Sequence, residues 1–185
     1  QTVVLTHNDA AKKLAQWTTV YSWDQIKNEL GNLSKKASSK DDVLKFISAP
    51  ARLEFLTALA IKSKLPQIDV VPNYSCDDEG LPTSTAGGNK GDIECFEDTD
   101  GVLVEVTMAE GRQQTMMEVW PIARHLSEFI ENYKRRSQCV FVAPTIFSDT
   151  TDQIEWTKDK KNLTIRPYKI VDFVAYLDSA NRLFV

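Results

Sequence analysis

The run GVLVEVT, Gly101–Thr107, constrains the fold of this chain more than any other stretch. Side chains at alternate positions of a strand share a face. Leu103, Glu105 and Thr107 therefore point one way, and Val102, Val104 and Val106 the other. A carboxylate among apolar neighbours has to be paired, hydrogen-bonded or bound to a metal. A second strand-like run, Asp92–Phe96, precedes it across EDTD, with Gly101 close to the turn. That is a hairpin signal. If the two runs pair, Asp92 and Glu105 converge, with Glu94 on the same face as Asp92. Two convergent carboxylates and a backbone carbonyl suit Mg²⁺, which takes one or two carboxylates and keeps several waters beside a substrate phosphate. The plainer alternative is an exposed hairpin whose acids are solvated.

The segment Glu110–Arg136 carries helical periodicity, with Pro121 as an expected kink. At about 100° per residue, Gln114, Glu118 and His125 share one face. By spacing alone, a solvated stripe on a surface helix is the more ordinary reading. Glu54, inside ARLEFLTALAI, repeats the oddity of Glu105, and its pattern favours the polar edge of an amphipathic helix. Arg112 and Arg124 fit surface charges or phosphate clamps equally well.

Around these segments the chain reads as a mixed α/β fold. Helices are expected at Asn8–Trp17, Ser22–Leu30, Asp42–Ser48, Ala51–Lys62, Asp149–Trp156 and Ile170–Leu183, with a break at Pro50. Further strands are expected at Cys139–Pro144 and Leu163–Pro167. Residues Pro66–Gly91, rich in Pro, Gly, Ser, Thr and Asn, read as one long loop. The expected architecture is a central mixed β-sheet flanked by helices, with a helical N-terminal region.

A chain of 185 residues suits one domain. Its net charge of −4 argues against a free-standing DNA binder, because phosphate contacts supply most of non-specific affinity. If it meets DNA, another domain supplies the affinity. No run approaches a membrane span and no signal-peptide pattern is present. Cys76, Cys95 and Cys139 have no metal spacing and fit reduced thiols in a cytoplasmic protein. The first residue, Gln1, suggests a fragment or the loss of the first residues.

The ordered set LPT, AGG, GDIE, VLVEVT, GRQQ, ME, P and RH resembles the AlwI-type family of Type IIS restriction and nicking endonucleases. The resemblance covers roughly residues 51–173 and rests on several short matches in order. It implies a catalytic domain of PD-(D/E)XK nuclease type. It also implies Mg²⁺ held by Asp92, Glu105 and the Val106 carbonyl, with Glu54 completing the outer shell and Mn²⁺ expected to substitute. Glu118, His125 and Gln114 match functional helix positions. Thr107 stands where the wider superfamily has Lys, as in this family's own EVT variant. His125 is expected to supply positive charge or orient water in place of that Lys, with Glu118 and Gln114 ordering waters or a second ion. Gly91 stands where Pro is common, and Trp120 where a polar residue is expected.

The implied activity is hydrolysis of a DNA phosphodiester bond, leaving a 5′-phosphate and a 3′-hydroxyl. Residues 51–185 would form the catalytic core, and 1–48 a helical extension or linker. Implied partners are double-stranded DNA, a recognition domain in the same chain or a partner subunit, and a second catalytic domain for a double-strand break. The alternatives are a repair or junction-resolving nuclease and an inactive partner-binding domain on a nuclease fold.

Overall fold

The computed structural model describes residues 9–185, and of Asp9 the main chain alone. Asn8, where the first helix was expected to begin, and Gln1 lie outside the described residues. Two N-terminal helices, α1 (Asp9–Val20) and α2 (Trp23–Ser34), lead into α3 (Ala49–Lys64). Ser22 starts α2 with a capping box: its side chain accepts from Gln25 N–H, and the Gln25 side chain accepts from Ser22 N–H. Pro50 does not break α3. It sits in the first turn, where its missing N–H costs nothing. The helix expected at 42–48 is reduced to a 3₁₀ turn, Leu44–Phe46. The Asp41 carboxylate accepts from Val43 and Leu44 N–H, both at 2.9 Å, and takes the amides a longer helix would have used.

The expected loop 66–91 holds three short strands: β1 (Asp69–Pro72), β2 (Ser75–Cys76) and β3 (Pro82–Ser84). β2 and β3 pair with each other, while β1 forms an edge of the main sheet. Pro72 is tolerated there because an edge strand leaves some N–H positions unpaired. The hairpin follows as β4 (Ile93–Glu97) and β5 (Asp100–Val106), turned at Asp98 with a left-handed φ of 49°. Then come α4 (Gly111–Tyr133), β6 (Arg136–Ala143), α5 (Ser148–Lys161), β7 (Ile165–Lys169) and α6 (Ile170–Ser179). α4 continues through Pro121 as one helix.

The main sheet has the order β1-β4-β5-β6-β7. β1, β4 and β5 pair antiparallel; β5, β6 and β7 pair parallel. The sheet is therefore mixed and flanked by helices, as expected. Val102, Val104, Ile93, Val140 and Val142 pack with α1, α2, α3 and α6 on one face. Leu103, Cys139 and Phe141 pack with α4 and α5 on the other. Each face of β5 is thus covered, which explains a strand of near-continuous apolar residues.

The closing helix stops at Ser179, short of the expected Leu183. Residues 180–185 turn back across the ends of β4, β5 and β6, where Leu183 and Phe184 N–H donate to the buried Glu97 carboxylate at 3.1 and 2.8 Å. Among the described residues no helix is long and apolar enough to cross a membrane.

Candidate active site

The hairpin register sets Ile93 opposite Val104 and Glu94 opposite Leu103. Continued by one step, it sets Asp92 opposite Glu105. Asp92 lies just before β4, and its Oδ2 accepts from Val106 N–H at 2.8 Å. The side chain thereby takes a hydrogen bond at the end of the ladder and is drawn towards Glu105. Glu94 does not join it. Its carboxylate accepts from Tyr133 O–H at 2.6 Å and from the Asn73 side-chain amide at 3.2 Å.

Gly91 makes the close approach possible. A Cβ there would lie 2.3 Å from Leu103 Cδ1 and 3.1 Å from Glu105 Oε1. The absence of a side chain just before Asp92 is therefore a packing requirement of this chain.

Glu54 arrives from α3. That helix has no solvated edge: every residue from Ala51 to Ile61 is buried. Glu54 is 4% exposed, against the expectation of a polar edge. Its carboxylate accepts from Ala86 N–H at 3.0 Å. Asp92 is electrostatically coupled to both Glu54 and Glu105. Burial raises Glu54 from 4.5 to about 7, with Glu105 adding repulsion and the Ala86 amide and Asp92 opposing. Burial, and then the charges of Glu105 and Glu54, push Asp92 well above the usual carboxylate range. Among the described residues no Lys or Arg is ion-paired to these three acids, so their mutual repulsion is opposed only by hydrogen bonds and His125.

The α4 stripe faces inward instead of being solvated. Glu118 is half-buried, and its Oε1 accepts from Thr107 O–H at 3.0 Å. Burial raises its pKa, and the Thr107 bond opposes the rise. His125 sits behind Glu105, with Nδ1 2.7 Å from Oε1 and Nε2 3.1 Å from the Gly88 carbonyl. A carbonyl only accepts, so Nε2 carries a hydrogen, and Nδ1 shares a proton with the carboxylate. The bond to Glu105 raises the His125 pKa against the opposing effect of burial. That bond favours the protonated ring beside Glu105. Both ring nitrogens are engaged, however, so His125 is not free to orient a water.

Gln114 departs further from expectation. It is fully buried, its Nε2 donates to the Ala109 and Thr145 carbonyls, and its Oε1 accepts from Phe147 N–H. It ties the start of α4 to the loop before α5, leaving no free group to order waters.

Glu54, Asp92, Val106, Thr107 and Glu118 line one cleft of about 390 Å³, with Thr85 and Ala86 at its wall. His125 lines a separate cavity with Lys90, Glu94 and Tyr133. Among the described residues no three His, Cys, Asp or Glu side chains together form a metal-holding group. The set that fits Mg²⁺ here is smaller: carboxylates of Asp92 and Glu105 with the Val106 carbonyl, all oxygen donors. Sequence reasoning missed the loop contacts Ala86 N–H to Glu54 and Gly88 O to His125. Their signal, AGG, was visible as a motif but gave no role to its main chain.

Comparison with curated proteins finds no match. A crystal structure of the small subunit (R.BspD6I2) of the heterodimeric restriction endonuclease R.BspD6I is similar in fold. It has a TM-score of 0.70 and 21% identity, with 88% of this chain and 82% of that one covered. The model of the AlwI restriction endonuclease family matches residues 2–176. By that match, and with its acids gathered at the end of a mixed sheet, the chain belongs to the AlwI restriction endonuclease family.

Proposed function

We propose that this chain is a Mg²⁺-dependent DNA-cleavage domain of PD-(D/E)XK type, spanning residues 1–185, that hydrolyses one phosphodiester bond per site. The observation that carries the reading is the coupling of Asp92, which lines the cleft with Glu54, to both Glu54 and Glu105, with no Lys or Arg ion-paired to these acids among the described residues. Asp92, Glu105 and the Val106 carbonyl would hold the ion, with Glu54 outside them. When bound, the ion supplies charge neutralisation at the scissile phosphate and acidifies water for in-line attack.

The chain's own residues do the positioning. Val106 N–H fixes Asp92, and His125 fixes Glu105 from behind while compensating its charge. Glu54 anchors the cleft wall through Ala86. Thr107 orients Glu118, the one acid of the cleft on α4, towards the side from which a water would be ordered.

Sequence recognition would come from another domain or a partner subunit, in keeping with the net charge of −4. A heterodimeric relative in fold supports a partner subunit. A double-strand break would require a second catalytic domain, as in a Type IIS or strand-nicking system working inside the cell.

The test is nicking of duplex DNA by Asp92→Ala and Glu105→Ala proteins, with calorimetric titration of Mg²⁺ and Mn²⁺. Loss of nicking together with loss of metal binding is expected. Retained Mg²⁺-dependent nicking in either variant would sink the assignment.

A further inference from the structure

We propose a second phosphate subsite beside the cleavage cleft, built around Arg52 and occupied by a backbone phosphate of the bound DNA strand; it rests on the DNA-cleavage reading above. A cavity of about 500 Å³ lies at the N-terminal end of α3, lined by Lys36, Ser38, Lys45, Ala49, Arg52 and Met108, among others. It adjoins the cleft. Met108 lines both, and Ala49 of the cavity is followed in sequence by Pro50 of the cleft.

Arg52 is the decisive group. It is 6% exposed, and its Nη1 donates to the Ile47 carbonyl at 3.0 Å. Its Nε is buried with no hydrogen-bond partner. No acid pairs with it among the described residues. A buried guanidinium lacking a counter-charge, on the wall of an open cavity, is poised for an anion. Its planar fork matches a phosphate.

Two lysines stand at the rim in exchangeable pairs, Lys36 with Glu110 at 2.7 Å and Lys45 with Asp42 at 2.8 Å. Such exposed pairs are weak, so an arriving phosphate can take over either lysine. The first turn of α3 adds to this. Its N-cap Ser48 makes no side-chain cap bond, and no acid lies in that turn. Pro50 has no N–H and the Arg52 N–H donates to the Ser48 carbonyl at 2.8 Å, so the turn contributes the favourable end of the helix dipole and not a set of free amides.

A strand with its scissile phosphate at Asp92 and Glu105 would thus lay a neighbouring phosphate in this cavity. The contact would fix the strand's register without reading its sequence. It would also give an acidic chain a local cationic hold on DNA.

The experiment uses the full chain without divalent metal, so that DNA is bound and not cut. A ¹⁵N-labelled sample is titrated with inorganic phosphate and, separately, with a 16-base-pair duplex. Binding of several duplex sequences is also measured across salt for wild type, Arg52→Gln and Lys36→Gln. Gln at position 52 keeps a donor for the Ile47 carbonyl. Phosphate and duplex should each shift the Arg52 Nε–H resonance to saturation. Arg52→Gln should weaken binding uniformly across sequences and reduce the salt slope by about 1.

A folded Arg52→Gln protein with an unchanged slope would overturn the subsite. So would a duplex that moves the Thr107 and Glu118 amides while leaving Arg52 Nε–H in place; in that case the cleavage reading survives alone. A response to inorganic phosphate but not to duplex would also overturn it, by assigning the cavity to a free anion. If Arg52→Gln fails to fold, the wild-type Nε–H signal and Lys36→Gln decide. Should duplex shift Arg52 while no metal supports cleavage, the subsite stands and the catalytic reading falls.

Discussion

His125 Nδ1 lies 2.7 Å from Glu105 Oε1, with both side chains under 10% exposed. The same ring holds the Gly88 carbonyl through Nε2. One residue of α4 therefore fixes both an acid of the proposed metal set and the loop over it. Partners of this kind typically tune metal affinity or activity by about 10–100-fold. His125→Ala should raise the Mg²⁺ concentration for half-maximal nicking by roughly that factor. It should also speed hydrogen exchange at residues 86–90. A variant with unchanged Mg²⁺ dependence would show that Glu105 needs no support from behind.

The crowded acids predict a stability cost at neutral and alkaline pH. Burial raises Glu54 from 4.5 to about 7 in the folded chain. A raised carboxyl pKa means that folding favours the protonated form. The stability this contributes is fully present below the unfolded value and is lost as pH rises through the folded one. Glu54→Gln keeps an acceptor for Ala86 N–H and removes the charge. It should be more stable than wild type at pH 8 by on the order of 1–3 kcal/mol, with the gap closing by about pH 4.5. Thermal melts across that range test this. A gap that instead widened towards low pH would contradict the electrostatic origin.

The strand acids were legible because alternation is a rigid rule. Once Gly101–Thr107 is a strand, Glu105 and the Val face separate, and the hairpin delivers Asp92. Glu54 was less legible, since a helix apolar on all sides carries no moment to show which way one acid points. Gln114 shared a face with Glu118, but periodicity reports direction and not what a neighbouring loop presents. The Thr145 carbonyl and Phe147 N–H claimed its amide. β1 was hidden because four residues ending in Pro look like loop, although they complete the sheet edge. Ala86 and Gly88 act through their main chain, which leaves no side-chain signature.

Gly91 offers a steric test of the same site. A methyl group there meets Leu103, at 2.3 Å from Cδ1 and 2.9 Å from Cγ, and it presses towards Glu105 Oε1. Overpacking of a buried side chain costs about 1–3 kcal/mol. Gly91→Ala should lower stability by that amount. It should reduce nicking more than the lost folded fraction explains, because Glu105 is displaced. Gly87→Ala is the matched control: its added Cβ meets nothing within 4 Å. Equal losses in the two variants would remove the steric argument.

The place of the missing Lys gives the last prediction. Thr107 Oγ1 donates to Glu118 and accepts from Ala109 N–H, each at 3.0 Å. Thr107 therefore does more than fill the position: it joins the end of β5 to the acid of α4 and closes the turn between them. Lys at 107 loses the acceptor for Ala109, leaving that amide short of a partner at about 1–2 kcal/mol. It also sets an ammonium against Glu118. Thr107→Ser keeps both hydrogen bonds. Nicking by Thr107→Lys should fall by at least about tenfold, as expected on losing a positioning contact worth that energy. Thr107→Ser should stay near wild type. Loss of the Thr107 bond also lets the Glu118 pKa rise further, since that bond opposes the effect of burial. The rising limb of the pH–rate profile should therefore shift to higher pH in Thr107→Val. If Thr107→Lys cut faster than wild type, the threonine would be a mere substitute for lysine, and the Thr107–Glu118 pair would have no part in the chemistry.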